Sequence, residues 1–509
     1  LTQRGWFKQA IVATALGVAA WSLALSTQAV SQAQETSSLQ TLLALEDVLS
    51  DVIARNEKSV VAIARVKKRD PGDPANFQIP DLFNRARGLG MNEPLDAEAI
   101  PNADFIPTEF GTGVVIDGRG LILTNYHVVS PDSQHFVTTS QRKTYRARIK
   151  AADMRSDLAV LEIEAPSNSV NLKPIRFGNA ANLRKGQIVI ALGNPYGIAR
   201  DGQASAAWGI VSNLSRKAGP TPDENSPGVN KPTLHHYGTL IQTDAKLNFG
   251  TSGGALVNLK GEMVGLTTSL AATAGYEQAA GYAIPVDQTF LRIVETLKQG
   301  REVEYGFLGV EPHNLDPREI LAGKQGMRIE KVVPGMPAHN RLRRDDVIVE
   351  VNGQPIYDAD GLVLEVSRQP AEADSRFTVM RNGRVMQVSV ELAKSPAVGK
   401  RVVTTPPEKW RGMRVDYTSS MGRDFLTRNE YLLLDASIAV SEVDEGSPAW
   451  QAGIRPEVMI SHVGNTSVKT PKEFWSAVTS KPGAVTLREV RLGVGQIERP
   501  QYKIEPAAE

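Results

Sequence analysis

Ser252 stands in N-F-G-T-S-G-G (248–254), a lone serine among three glycines, and the run continues A-L-V-N-L-K-G-E-M-V-G. Glycine supplies backbone conformations that other residues avoid, so the stretch is at least a turn. It can also be a nucleophile whose neighbouring backbone comes very close to a substrate. A serine hydroxyl is a weak nucleophile at neutral pH and needs a base, usually histidine, held by a third group. G-T-S-G-G also satisfies the nucleophile-elbow pattern G-x-S-x-G, which needs a strand before it, a helix after it, and an acid then a histidine downstream. Here D-A-K-L-N-F precedes, β-rich sequence follows, and no downstream Asp/His pair stands out. The elbow fails on context.

The partners lie upstream. His127 sits in L-I-L-T-N-Y-H-V-V, at the end of an apolar strand where a rigid element could aim its ring. Asp157 sits in D-M-R-S-D-L-A-V-L-E-I, immediately before another strand. Singly, each has an ordinary explanation, a satisfied core histidine or a solvated strand-edge carboxylate. Together, His then Asp then Ser across a β-rich region is the order of the chymotrypsin arrangement, and the chemistry is acyl transfer.

The elements that must position these residues are short. From Phe110 to about Thr296, runs of Val, Ile and Leu are punctuated by glycine, as in G-V-V-I-D-G-R-G-L-I-L-T, where D-G-R-G reads as a hairpin turn. Such spacing argues for barrels or sandwiches. The run from 286, V-D-Q-T-F-L-R-I-V-E-T-L-K-Q-G, reads as a closing helix with Gly300 as its stop. Upstream, residues 39–56 read as a helix with one apolar stripe, Leu42, Leu45, Leu49 and Val52, which docks on its own domain or on another subunit. The strand S-V-V-A-I-A-R-V follows, then a break from Lys67 to Glu109 without periodicity, either functional or mobile. Downstream there is an internal repeat at an offset of 111 residues: G-M-P-A (335–338) with G-S-P-A (446–449), D-V-I-V (346–349) with E-V-M-I (457–460), and Gly353 with Gly464. The Pro-bearing stretch from Lys394 separates the two modules.

A length of 509 residues implies roughly three or four domains. The formal net charge of +1, with no basic stripe interleaved with aromatics, argues against nucleic acid as a partner. With no cysteine, disulfides and thiolate chemistry are out. The seven histidines show no ligand spacing, so no metal is expected, nor any other cofactor. Adjacent His235 and His236 suggest a solvated loop. At the N-terminus, Arg4 and Lys8 precede the apolar run 10–25 and then S-T-Q-A, the pattern of a secretory signal peptide. The run is shorter than the roughly 20 residues of a spanning helix, so membrane association is not expected.

T-N-Y-H-V-V, S-D-L-A-V-L and G-T-S-G-G-A-L, with the tail modules, resemble a bacterial HtrA-type (Deg family) trypsin-like serine protease with two PDZ domains. The resemblance covers nearly the whole chain after the signal peptide. It implies a mainly β protein: a chymotrypsin-like double six-stranded β-barrel followed by two PDZ domains. Its divisions would be a signal peptide (1–29), a protease domain (39–300) holding a long regulatory loop (67–109), PDZ domains at 301–394 and 410–505, and a linker at 395–409. By carry-over, Ser252 is the nucleophile, His127 the general base and then acid, and Asp157 the group that orients the imidazole. The N–H groups of Gly250 and Ser252 would form the oxyanion hole. Lys246 stands where trypsins keep the acid of their specificity pocket, and Ser269, Leu270 and Ala271 would shape an apolar pocket of modest size. Thr251 excludes activation through a newly cut N-terminus. Phe307, Leu308, Gly309 and Val310 match the PDZ loop that captures a peptide carboxylate. The second module is aligned at G-M-R-V (412–415), with Arg414 in glycine's place, so assembly rather than peptide capture is expected of it. The implied activity is ATP-independent proteolysis of unfolded proteins in the periplasm, by a trimer or multiple of trimers whose PDZ domains bind C-termini. The alternative is a chaperone or peptide-binding scaffold with secondary or no proteolysis.

Overall fold

The computed structural model describes Trp21 and residues 39–67, 109–166, 169–194, 202–219, 221–222, 230–231, 233–248, 250–268, 280–397, 399–435, 438–493 and 496–506. The leader read at 1–29 (Trp21 apart), most of the 67–109 segment, and Ser269, Leu270 and Ala271 lie outside these.

The fold is mainly β, with two closed six-stranded barrels followed by two sheet modules. The first barrel is built from β1 (Val60–Lys67), β2 (Glu109–Asp117), β3 (Leu121–Asn125), β4 (Ser133–Thr139), β5 (Thr144–Asp153) and β6 (Leu158–Ile163). Its order is β5-β4-β1-β2-β3-β6, closed by β5 pairing with β6. The hairpin read from D-G-R-G is present: Gly120 N–H donates to the Asp117 carbonyl at 3.1 Å, with Gly120 at φ 107°. β1 and β2 pair down to Arg65 opposite Glu109, whose side chains form an ion pair, so the segment 67–109 connects two strands that are neighbours in the sheet.

The second barrel runs Leu240–Thr243, Gly281–Pro285, Met263–Thr268, Ala255–Asn258, Ile188–Gly193 and Ser205–Arg216, and closes on itself. A helix, Gln288–Lys298, follows with Asp287 as its N-cap, and Gly300 ends it at φ 74°. Its buried Phe290, Ile293, Val294 and Leu297 recur at helical spacing and join the largest apolar cluster. Burial of such side chains contributes roughly 2 kcal/mol each. The helix over 39–56 forms as expected, and its stripe is graded: Val52 is fully buried, Leu45 and Leu49 partly so, and Leu42 is 63 % exposed.

The internal repeat is structural. In the first module the sheet order is Val310–Asn314, Met327–Val332, Val347–Val351, Asp374–Arg381 and Arg384–Glu391. The second repeats it with Met413–Tyr417, Ile438–Val443, Met459–Val463, Val485–Glu489 and Gln501–Ile504. The chain between the modules does more than span. Val402 and Val403 pair with Ala152 and Ala151 at the end of β5, adding a seventh strand to the first barrel's sheet. Beyond that strand Thr404 N–H is shared between the carbonyls of Lys150 and Gly300, each at 3.1 Å. Nearby, Lys394 is buried among Glu302, Glu304 and Asp416, and Arg401 joins Glu302 and Asp416. This cluster ties both ends of the first module to the linker and to the second module.

Candidate active site

The register of the first barrel brings two of the expected residues together. Asn125 on β3 is paired with Leu158 on β6, the last rung of that ladder. Tyr126 and His127, just after it, therefore meet Asp157, just before it. Tyr126 N–H donates to the Asp157 carbonyl at 3.0 Å, and His127 N–H to Asp157 Oδ1 at 3.2 Å. His127 Nδ1 lies 2.9 Å from Oδ1 and 3.0 Å from Oδ2 of the same carboxylate. Asp157 is a non-glycine residue at φ 54°, a left-handed conformation that surrounding bonds must hold. Thr268 Oγ1, at the end of a second-barrel strand, donates to Asp157 Oδ2 at 3.2 Å, so both barrels grip this carboxylate.

The Asp157 side chain is 3 % exposed and the His127 side chain 31 %. Burial disfavours the imidazolium, but the Asp157 carboxylate outweighs it through charge and hydrogen bond, and Glu109 adds to it against Arg65. The net effect holds His127 above its ordinary range.

Ser252 comes from the second barrel, on the turn entering Ala255–Asn258, and is 6 % exposed. The turn rests on β2: Thr112 N–H donates to the Ser252 carbonyl at 2.9 Å, and Thr112 Oγ1 to the Gly250 carbonyl at 2.6 Å. The glycines have separate reasons. Gly250 takes φ 91°. Gly253 takes φ 84°, and a Cβ there would lie 2.0 Å from the Thr112 carbonyl oxygen and 2.3 Å from Thr124 Oγ1. Thr251 Oγ1 is turned back onto the Asn248 carbonyl at 2.6 Å, and its methyl side packs at Gly193. Lys246 is exposed. Among the described residues no group of three His, Asp or Glu is placed to hold a metal ion.

Two positions depart from the reading of the sequence. His235 is not in a solvated loop; it is 3 % exposed on the short helix Leu234–Tyr237, with Nε2 2.8 Å from the Ser156 carbonyl and Nδ1 2.7 Å from Thr239 Oγ1. Burial lowers its pKa by disfavouring the charged ring. In the second module the loop glycine is not replaced by Arg414. Gly309 N-terminal to the edge strand Val310–Asn314 has φ 79°, its carbonyl accepts from Val333 N–H, and a Cβ would meet Met336 at 2.3 Å. Gly412, before Met413–Tyr417, has φ 83°, its carbonyl accepts from Asp444 N–H, and a Cβ would meet Ser447 at 2.1 Å. Gly412 is therefore the equivalent residue, and the alignment shifts by two. The two edge strands differ in exposure: Val310–Asn314 is mostly open, whereas every residue of Met413–Tyr417 is buried. Arg414 bonds to the Pro407 carbonyl and Glu442, and Asp416 to Lys394 and Arg401, so the chain's own linker covers that edge.

Thr112 and Thr268 do not stand out in the sequence as site residues. Thr112 carries a signal, the G-T-G of β2, where a Cβ at Gly111 or Gly113 would collide with Val128 or Ile122.

Residues 111–266 match the trypsin-like peptidase domain family, and residues 306–392 match the PDZ domain family. A probable periplasmic serine endoprotease DegP-like from Hahella chejuensis is 30 % identical over 449 residues, covering 85 % of this chain and 88 % of that protein. A probable serine protease do-like from Buchnera aphidicola is 31 % identical over 392 residues, covering 75 % of each. The periplasmic serine endoprotease DegP of Escherichia coli strain K12 is 28 % identical over 501 residues, covering 94 % of this chain and 95 % of that one.

Proposed function

Because this chain belongs to the HtrA family of serine endoproteases, we propose that it degrades unfolded or damaged proteins in the periplasm, with Ser252, His127 and Asp157 as its reacting and orienting groups. The observation that carries the assignment of roles is the His127–Asp157 pair, fixed by strand register and gripped from both barrels. Nδ1–H of His127 donates to Asp157, which leaves Nε2 as the base for the Ser252 hydroxyl. Ser252 Oγ attacks the scissile carbonyl carbon as its proton passes to Nε2. The N–H groups of Gly250 and Ser252 stabilise the oxyanion, and a turn bonded to Thr112 at two points is held rigid for that task. His127 then protonates the leaving amine. Water attacks the acyl-enzyme with His127 again as base, and the serine is restored.

Lys246 and the apolar residues Leu270 and Ala271 favour cleavage after small or medium aliphatic residues. The first module captures exposed C-termini at Phe307–Val310, a reading supported by the left-handed Gly309 and the open edge strand beside it. The exposed end of the Leu42 stripe supports joining of subunits, a trimer or its multiples, and the position of 67–109 between β1 and β2 supports a regulatory arm. The 1–29 stretch serves as the export signal. The test is digestion of denatured casein with mapping of the cut sites by mass spectrometry. Cleavage that is lost in Ser252→Ala and falls after Val, Ala or Ile supports the reading; cuts clustered after Arg and Lys refute the pocket, and full activity in Ser252→Ala refutes the nucleophile.

A further inference from the structure

The turn Asp153–Asp157 is fastened from outside by residues far along the chain. Asp153 accepts from Ser156 N–H at 2.9 Å and Ser156 Oγ at 2.5 Å, and the Tyr305 hydroxyl donates to the same carboxylate oxygen. The Arg155 carbonyl accepts from Leu234 N–H at 2.8 Å, and the Ser156 carbonyl is bonded to His235. The Arg155 side chain leaves the protease altogether. Its Nη2 donates to Ser367 Oγ at 2.7 Å and its Nη1 to Ser395 Oγ at 2.9 Å, while the guanidinium carbon lies 4.8 Å from the centre of the Tyr305 ring.

Ser367 is the buried last residue of the helix Ala359–Ser367 in the first C-terminal module. That helix lies beside the edge strand Val310–Asn314 and also packs on Leu234–Tyr237, which carries His235. Two routes from one helix thus converge on the residues just before Asp157. Both Arg155 acceptors are neutral hydroxyls, so the attachment can bias the turn and still be released.

We propose that Arg155 is a positioning residue for Asp157, locking the Asp153–Asp157 turn to Ser367 and Ser395 so that the docked first module completes the His127–Asp157 pair. This rests on the catalytic roles proposed above. The physical reason lies in the backbone: Asp157 at φ 54° persists only while its surroundings over-determine it. Freed from its outer anchors, the turn relaxes toward an unstrained conformation and the carboxylate leaves Nδ1. Other charged groups face the pair unchanged, namely Arg65 and Glu109 near His127, and Asp153, Asp287 and His235 near the turn.

The experiment compares full-length wild type, Arg155→Ala, Arg155→Lys and the double variant Ser367→Ala/Ser395→Ala. Two quantities are read: kcat and KM on a short peptide, and the titration of the His127 ring by NMR. Arg155→Ala is expected to lose about 10-fold in kcat with KM changed less than about twofold, the size of effect a small misplacement of a reacting group produces. Its His127 should titrate at lower pH, because the carboxylate no longer stabilises the imidazolium, and Arg155→Lys should restore part of both. If Arg155→Ala fails to fold, the double serine variant, which keeps the arginine, decides the matter through the same two readouts. Wild-type kcat and wild-type His127 titration in the folded variants overturn the proposal. Peptide cleavage that survives Ser252→Ala would instead overturn the catalytic reading, and the His127 titration would still decide whether Arg155 positions Asp157.

Discussion

The Thr112 hydroxyl donates to the Gly250 carbonyl at 2.6 Å, a bond from the second strand of one barrel to the residue that opens the serine turn of the other. The same oxygen accepts from Asn194 N–H at 2.8 Å, so a single side chain pins two backbone segments of the second barrel. The peptide between Gly250 and Thr251 cannot rotate while this bond holds.

Replacing Thr112 with Val keeps the shape and removes the hydroxyl. The Gly250 carbonyl loses its donor and Asn194 N–H its acceptor, at a stability cost of roughly 1–3 kcal/mol. Turnover should fall by about 10-fold or more as the proposed oxyanion donors, the N–H groups of Gly250 and Ser252, lose their fixed aim. Thr112→Ser should restore both. Urea melts and peptide kinetics check this, and a Val variant with wild-type kcat would show that the bond holds nothing catalytic.

Ser252→Ala and His127→Ala should each cost on the order of 10⁶ in kcat, since such residues act as a unit. Asp157→Asn should keep the fold and cost about 10⁴, because the amide favours the wrong imidazole tautomer. Near-normal kinetics in purified Asp157→Asn would remove Asp157 from the mechanism.

In the proposed mechanism His127 must be neutral to accept a proton. Its pKa is raised in the folded enzyme, so the acidic limb of kcat/KM should lie above the ordinary histidine value of about 6.5, with activity rising as pH climbs through it. Asp157→Asn removes the attraction that stabilises the charged ring and should move the limb down. A pH–rate profile with its limb below the ordinary value in wild type would contradict the geometry.

His235 shows the opposite sign. Its folded pKa is depressed by burial, so the folded state resists a proton that the unfolded chain accepts at about 6.5. Stability should be complete above that pH and fall as pH drops through it. In His235→Gln the contribution disappears, and the fall between about pH 7.5 and 5.5 should be shallower in urea melts. Parallel curves for the two proteins would show that His235 titrates alike in both states.

The hairpin at 117–120 and the helices at 39–56 and 286–300 were legible because each rests on local signals, a turn or one apolar stripe. The expected order of His127, Asp157 and Ser252 could be read because the first two sit at the ends of apolar runs and the third among glycines. What the sequence hid is non-local. Thr268 reaches Asp157 only after two barrels dock, and Arg155 meets Ser367 across 212 positions. His235 read as solvated because adjacency to His236 says nothing about a short helix that buries one ring. The shift from Arg414 to Gly412 arose because the repeat's insertions fall between its matching motifs, so only hydrogen-bond equivalence fixes the alignment.

The two-residue strand Val402–Val403 has a consequence for how this molecule comes apart. A cut before Gly399 and a cut after Thr405 both sever the second module from the first in sequence, but they leave different fragments. After the downstream cut, the amino-terminal fragment keeps the added strand against Ala151 and Ala152, and with it the edge of the sheet beside the Asp153 turn stays covered. After the upstream cut, that strand departs with the carboxy-terminal piece or is held on only by non-covalent pairing, and the edge is left to solvent. Shortened forms of the protein that differ by a handful of residues in this interval would therefore be different enzymes, one sealed along that edge and one with an open ladder beside the Asp153–Asp157 turn.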